Sequence, residues 1–195
     1  MRTFVIGDIH GQYEALCAVL FKSGISYEND RLIVLGDIYD GPKPQECIDH
    51  LLTIDHLVCL AGNHDLDELQ MARAEGSSSK YTQFIQQMLF TFEEGGCLFV
   101  HGGFDPKVGF MDQDVRALVW NRSLVAKAWQ ARKNGQEFVA KEFKEVYVGH
   151  TCTQNYGFTT PLRLGNVWMI DTGAGYGGIL TLMNIETKEY WQATT

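Results

Sequence analysis

The chain has 195 residues, of which 45% are hydrophobic and 12% aromatic, a composition that excludes an intrinsically disordered polypeptide and favours one domain with a buried core. Its formal net charge of −8 argues against nucleic acid or an anionic membrane as a partner, and no apolar run is long enough to span a bilayer. The five cysteines form no C-x-x-C pair, so we expect reduced thiols. Because a strand-like segment begins at once, we expect no signal peptide and a cytoplasmic protein.

The first third of the chain alternates short apolar runs with amphipathic segments. The apolar runs at Thr3–Ile6, Arg31–Leu35 and Leu57–Ala61 predict three strands, and a glycine follows each of them. The intervening helices are predicted at Gln12–Lys22, from apolar residues at helical spacing, and at Pro42–Thr53, from a proline near its first turn. This alternation predicts parallel strands joined by right-handed crossovers.

The rest of the chain predicts four helices and five further strands. The helices are expected at Leu66–Ala74, Tyr81–Phe92, Asp112–Trp120 and Leu124–Arg132, and the strands at Cys97–Val100, Glu145–Val148, Val167–Ile170, Ile179–Ile185 and Glu189–Gln192. We expect the last three strands to form one antiparallel group. The predicted fold is therefore α/β, a single domain over residues 1–195 with two packed sheets and helices outside them.

Polar side chains collect where the first five predicted strands end. They are Asp8 and His10, then Asp37 and Asp40, then Asn63, His64 and Asp65, then His101, and finally His150. Sites in open α/β sheets form at the carboxyl ends of strands, so we expect these side chains to meet. Any one of them alone is explained as well by a turn, a helix N-cap or a buried core histidine. Five strand ends in a row favour a shared site.

The residue types at these strand ends predict a centre for two divalent metal ions. The expected ligands are Asp8 and His10 for the first ion, Asn63, His101 and His150 for the second, and Asp37 as a carboxylate bridge between them. Nitrogen and oxygen ligands without thiolate favour Mn²⁺, with iron or Zn²⁺ as alternatives, over Mg²⁺ or Ca²⁺. Two such ions roughly 3.5–4 Å apart clamp an in-line displacement on phosphorus and lower the pKa of bound water.

Five motifs in this order resemble those of the calcineurin-like metallophosphoesterases, above all the phosphoprotein phosphatase branch and its short bacterial and phage serine/threonine phosphatases. The motifs are Gly7-Asp8-Ile9-His10-Gly11, Gly36-Asp37-Ile38-Tyr39-Asp40, Gly62-Asn63-His64-Asp65, His101-Gly102-Gly103 and Gly149-His150-Thr151, supported by Val119-Trp120-Asn121-Arg122 and Ile170-Asp171-Thr172-Gly173-Ala174. The resemblance implies a four-layer α/β/β/α sandwich of two mixed sheets. It also implies a short helical insertion at about residues 66–94.

The resemblance also implies roles for residues around the metal ligands. His64 is expected to be the general acid, with Asp40 orienting its ring, and Arg122 to grip the phosphate oxygens. The branch usually has Asp-Arg-Gly where this chain has Asp40-Gly41-Pro42, so a second phosphate-binding arginine is missing and Lys43 is a candidate to replace it. Two alternatives stay open: Asp40 as a helix cap, and Arg122 in a structural ion pair.

Three functions follow from these patterns. The main hypothesis is a metal-dependent phosphomonoesterase like the serine/threonine protein phosphatases, acting on a phosphorylated protein or a small phosphoester. The second is a dinucleotide hydrolase, because Asn63-His64-Asp65-Leu66 and Gly178-Ile179-Leu180-Thr181 also resemble the symmetrical diadenosine tetraphosphate hydrolases. The third, a non-catalytic scaffold, conflicts with the complete ligand set. Trp120 is interpreted as a core residue, and Asp171 as part of a tight turn.

Overall fold

Two five-stranded sheets pack face to face in the computed structural model, which describes residues 1–195. The strands are β1 (Thr3–Ile6), β2 (Arg31–Val34), β3 (His56–Cys59), β4 (Thr91–Glu94), β5 (Cys97–Val100), β6 (Glu145–Val148), β7 (Leu162–Leu164), β8 (Val167–Met169), β9 (Ile179–Asn184) and β10 (Tyr190–Thr194). The helices are α1 (Tyr13–Ser23), α2 (Pro44–Leu51), α3 (Asn63–Ala74), α4 (Lys80–Gln86), α5 (Val115–Trp120) and α6 (Ser123–Lys133).

Both sheets are mixed, and each contains three adjacent parallel strands. The first sheet has the order β10-β9-β1-β2-β3, in which β1, β2 and β3 are parallel and β9 is antiparallel to both neighbours. The second has the order β4-β5-β6-β8-β7, in which β5, β6 and β8 are parallel and the two edge strands are antiparallel. The predicted pair of mixed sheets flanked by helices is confirmed.

Alternation along each strand divides the core into three layers. On β1, Phe4 and Ile6 pack with apolar residues of α1 and α2, whereas Val5 points into the layer between the two sheets. In that middle layer the rings of Phe99 and Tyr147 stack with centroids 4.9 Å apart. A third cluster joins the second sheet to α6. Helices therefore cover the outer face of each sheet.

Two predictions were wrong, the extent of one helix and the pairing of one strand, and both errors concern long-range pairing. The helix expected at Tyr81–Phe92 ends at Gln86, because the Leu89 backbone then hydrogen-bonds Cys59 and Ala61 at the edge of the first sheet. The chain continues into β4, where β-branched and aromatic residues suit a strand. The strand expected at Val167–Ile170 is β8, but it pairs in parallel with β6 in the second sheet instead of joining β9 and β10.

Two further features match the composition. None of the helices has both the length and the apolar character needed to cross a membrane. All five cysteines are free thiols, and each is buried or partly buried.

Candidate metal centre

The carboxyl ends of the parallel strands bring the predicted ligands together at one edge of the sandwich. Asp8, His10 and Asp37 form one group whose ligand atoms lie within 4.8 Å of one another, and Asp37, His101 and His150 form a second. Asp37 belongs to both groups, so its carboxylate lies where a bridging ligand between two ions is needed. Asn63 begins α3 beside them, and its Oδ1 is 3.2 Å from Nε2 of His101.

The backbone is strained at three of these residues. Only four non-glycine residues of the chain have a positive φ, and three of them are His10 at 48°, Asp37 at 49° and His150 at 58°. Left-handed conformations are unfavourable for residues with a Cβ, and they concentrate at functional sites where the surroundings hold them in place. The strained backbone at these three residues therefore orients their side chains toward the site.

Two glycines allow the carboxylates to approach the neighbouring loops. A Cβ at Gly62 would overlap Oδ1 of Asp37, and a Cβ at Gly149 would overlap Oδ1 of Asp8. Only glycine fits at such close approaches. This explains why both glycines directly precede predicted ligands.

Lone pairs converge at His101, which is completely buried. Its Nδ1 lies 2.8 Å from the carbonyl oxygen of Leu35, and because a carbonyl can only accept, Nδ1 carries the proton. Burial lowers the pKa of the imidazole, so the ring is neutral and Nε2 holds a lone pair. That nitrogen faces Oδ1 of Asn63 at 3.2 Å and Oδ2 of Asp37 at 3.5 Å. Nε2 of His101, Oδ1 of Asn63 and Oδ2 of Asp37 therefore converge as the ligands of one ion would.

His150 presents a second buried lone pair. Burial lowers the pKa of its imidazole to about 3, helped by the neighbouring His101 and Arg122, while the Trp120 backbone carbonyl acts in the opposite direction. Its Nε2 is buried without a hydrogen-bond partner. A buried polar atom without a partner is costly and calls for an explanation such as a bound ion.

The carboxylates complete a cluster of electron-rich ligand atoms. Asp8 and Asp37 are each only 2% exposed. Burial raises the pKa of Asp8 well above its ordinary value, and the nearby Asp171 and Asp37 raise it further, although the His150 N–H donates to both of its oxygens at 3.1 and 2.9 Å. Buried carboxylates, an amide oxygen and unprotonated imidazole nitrogens are the donor set that divalent transition metals take. The residues present therefore fit a pair of divalent cations.

The expected partnership of His64 and Asp40 is present as a contact. Oδ2 of Asp40 lies 3.1 Å from Nδ1 of His64 and 3.4 Å from Nδ1 of His10, so one carboxylate can orient both rings. The other oxygen accepts from the N–H of Gly41 at 2.7 Å. Asp40 does not cap α2, whose N-cap is Lys43 without a side-chain cap.

The two predicted phosphate-binding residues differ in their surroundings. Arg122 is exposed at the rim of the centre, where its Nη2 is 3.5 Å from the His150 carbonyl oxygen, and it forms no ion pair. The ammonium of Lys43 is engaged by the carboxylate of Glu14 on α1. An arginine cannot simply be restored at Gly41, which has φ of 82° and whose Cβ would overlap the His10 carbonyl oxygen. A change of the loop backbone would therefore have to accompany an arginine at this position.

The sequence interpretation gave Asp65 no role. The completely buried carboxylate of Asp65 accepts from the N–H groups of Ile38, Tyr39 and Gly62 at 2.8–2.9 Å, which fixes the Asp37 loop to the start of α3. An acidic residue at the third helical position is a capping-box signal that could have revealed it, and α3 accordingly begins three residues earlier than predicted.

The interpretation of Asp171 as a turn residue is incomplete. It accepts from the Gly173 N–H at 2.8 Å, as a turn residue does, but it is also buried beside Asp8. Burial raises the pKa of its carboxyl to about 6. Asp171 follows β8 as the other site residues follow their strands, and the wrong placement of β8 concealed this.

Comparisons with known proteins agree with this architecture. A relative from Neisseria gonorrhoeae named bis(5'-nucleosyl)-tetraphosphatase, symmetrical, is 24% identical over an alignment that covers 98% of this chain and 95% of the relative. That alignment has 267 positions, so at least 72 of them have no counterpart in the 195 residues here.

Solved structures share the fold at low sequence identity. A candidate diadenosine tetraphosphatase has a TM-score of 0.77 at 16% identity, with 99% of this chain and 93% of that chain covered. A protein serine/threonine phosphatase from Saccharomyces cerevisiae has a TM-score of 0.61 at 16% identity, with 100% and 79% covered. The model of the calcineurin-like phosphoesterase family matches residues 1–162, and the chain belongs to that family.

Proposed function

We propose that this phosphoesterase hydrolyses a phosphoanhydride bond of a dinucleoside polyphosphate with two divalent ions. The ligands are those predicted from the sequence, Asp8, His10, Asp37, Asn63, His101 and His150. The observation that supports hydrolysis at a dinuclear centre is the position of Asp37 in both ligand groups. The observation that supports the substrate class is the alignment with tetraphosphatases along nearly the whole chain.

The phosphoprotein hypothesis now has weaker support than the dinucleotide one. The likeness to a yeast serine/threonine phosphatase, at 16% identity, concerns the fold alone. In contrast, a second relative named symmetrical bis(5'-nucleosyl)-tetraphosphatase, from Pseudomonas putida, aligns over 97% of this chain at 23% identity. The missing arginine at Gly41 distinguishes this chain equally from the protein phosphatase pattern and from the tetraphosphatase pattern. We therefore infer a nucleotide substrate.

The residues around the ions have separate tasks in the proposed reaction. When bound, the two divalent ions supply Lewis acidity and lower the pKa of water. His64, oriented through Nδ1 by Asp40, keeps Nε2 free to donate a proton to the departing oxygen. Arg122 offers an unpaired guanidinium for the phosphate oxygens at the rim. Three further points stay predictions: that the ion is Mn²⁺, that the protein is cytoplasmic, and that it has no nucleic-acid or membrane partner.

Replacing Asp37 with asparagine tests the shared ligand. Saturating Mn²⁺ should raise the melting temperature of the wild-type protein by about 5–10 °C, as a ligand at roughly a hundred times its Kd does for a domain of this size. Asp37→Asn should lose this shift. In EDTA the variant should be at least as stable as the wild type, because Asp8 no longer faces a second buried carboxylate.

The matched control for this experiment is Asp55→Asn, an exposed aspartate outside the ligand groups, which should respond to Mn²⁺ as the wild type does. Differential scanning calorimetry with and without Mn²⁺ gives both values. A full Mn²⁺ shift in Asp37→Asn would refute the shared-ligand role.

Parallel assays on two substrates test the proposed function itself. With Mn²⁺, kcat/KM should be higher for diadenosine tetraphosphate than for a phosphothreonine peptide, and chromatography should show ADP as the nucleotide product of symmetrical cleavage. Asp37→Asn serves as the control for contaminating activity. A higher kcat/KM for the peptide would return the assignment to a protein phosphatase.

His64→Gln separates the acid role from metal binding. Hydrolysis of the phosphothreonine peptide should fall by about 10²–10⁴-fold, because its alkoxide leaves poorly without a proton. Hydrolysis of diadenosine tetraphosphate should fall much less, since the departing phosphate oxygen is a weak base. The Mn²⁺ shift in melting temperature should remain. His56→Gln, an exposed histidine on β3, is the control; equal losses on both substrates would contradict the acid role.

A further inference from the structure

A groove of about 450 Å³ lies between α3 and α5, outside the metal centre. Its walls include Leu66, Asp67, Gln70 and Arg73 from α3, and Arg116 and Trp120 from α5, and we call it the α3–α5 groove. The volume lies within the range of about 300–1,000 Å³ that small-ligand pockets occupy. None of the proposed metal ligands or catalytic residues lines it.

Both walls of the α3–α5 groove begin or end at the metal centre. The α3 wall belongs to the helix whose first two residues are Asn63 and His64. The α5 wall ends at Trp120, whose backbone carbonyl faces the His150 imidazole, and Arg122 follows two residues later. A substrate longer than one phosphate group, held at the ions, therefore has this groove beside it.

The aromatic wall of the groove is not part of the core. Trp120 was expected to be a core residue, but it is only partly buried and belongs to none of the three apolar clusters, unlike Trp129. The guanidinium of Arg116 lies 5.7 Å from the centre of its ring. An accessible indole next to a guanidinium is a surface on which nucleobases stack.

The polar side chains of the groove suit the base and the ribose of a nucleoside. Arg73 and Arg116 form no ion pair with any carboxylate, in a chain whose net charge is −8. Guanidinium groups that are not engaged by carboxylates stack on nucleobases and donate hydrogen bonds to their acceptor atoms. Asp67 adds one carboxylate, which suits a ribose hydroxyl or an exocyclic amine.

We propose that the α3–α5 groove binds a nucleoside end of the substrate, whose phosphates stay at the ions, with the base against Trp120 and the guanidinium groups of Arg73 and Arg116 beside it. This inference rests on the proposed function, since it locates the nucleotide that extends from the metal centre. The groove then determines which leaving nucleotide the enzyme accepts, while the ions determine which bond is broken.

Arginine-to-alanine variants test this site through ADP binding. Arg73 and Arg116 are exposed, so Arg73→Ala and Arg116→Ala leave the core untouched. Isothermal titration of the Mn²⁺-loaded protein with ADP should show binding roughly tenfold weaker in each variant, as the loss of one charged hydrogen bond implies. KM for diadenosine tetraphosphate should rise by a larger factor than KM for a small aryl phosphate, which is too short to reach the groove.

Arg132→Ala is the matched control, because Arg132 lies 5.9 Å from the ring of Trp129 on α6, outside the groove. It should bind ADP as the wild type does. Equal ADP binding by wild type and Arg116→Ala, or equal rises of both KM values, would overturn the site. A phosphopeptide KM that rises while ADP binding stays constant would also overturn it and assign the groove to a peptide.

The same measurements distinguish the site from the proposed function. A wild type that does not cleave diadenosine tetraphosphate, yet binds ADP through Arg73 and Arg116, refutes the function and supports the site. A wild type that cleaves it, with groove variants that bind ADP unchanged, refutes the site alone.

Discussion

The structure depends on one electrostatic constraint, the burial of two carboxylates where the two sheets meet. Asp8 and Asp37 lie almost completely out of solvent, next to imidazole nitrogens that present lone pairs instead of protons. Such an arrangement is unfavourable by itself, since like charges and unpaired acceptors face each other in a medium of low polarity. The left-handed backbone at the ligands adds to the cost. A pair of bound cations would offset the electrostatic repulsion between these groups. The left-handed backbone would then serve to direct the ligands toward the cations.

This constraint explains why the site needs both sheets. The first sheet supplies Asp8, His10, Asp37 and Asn63, and the second supplies His101 and His150. The rings of Phe99 and Tyr147 stack on each other on the second sheet, pack against the first sheet in the middle layer, and lie within three residues of His101 and His150. Packing between the sheets therefore sets the ligand geometry, and metal binding in turn stabilises the packing.

Local patterns predicted the strands that carry ligands, because each is a short apolar run followed by a polar residue with a glycine next to it. The sequence could not reveal how strands pair across the chain, so β8 and its Asp171 were placed in the wrong group. Nor could it reveal side-chain partners outside the recognised motifs. The pairing of Lys43 with Glu14, and the left-handed backbone at Gly41, both appear only in three dimensions. The strand ends alone were enough to predict the metal ligands, whereas the substrate contacts depend on these long-range details.

In the proposed function, the metal centre determines which reaction occurs, and the residues around it determine which substrate binds. In that function, α3 and α5 supply the groove beside the centre that a long substrate contacts. The central claim is that Asp37 joins two ions. Anomalous diffraction from crystals grown with Mn²⁺ tests it most directly. Two anomalous peaks should appear, one beside Asp8 and His10 and one beside His101 and His150, with Asp37 in contact with both. A single peak, or two peaks that do not share Asp37, would contradict it.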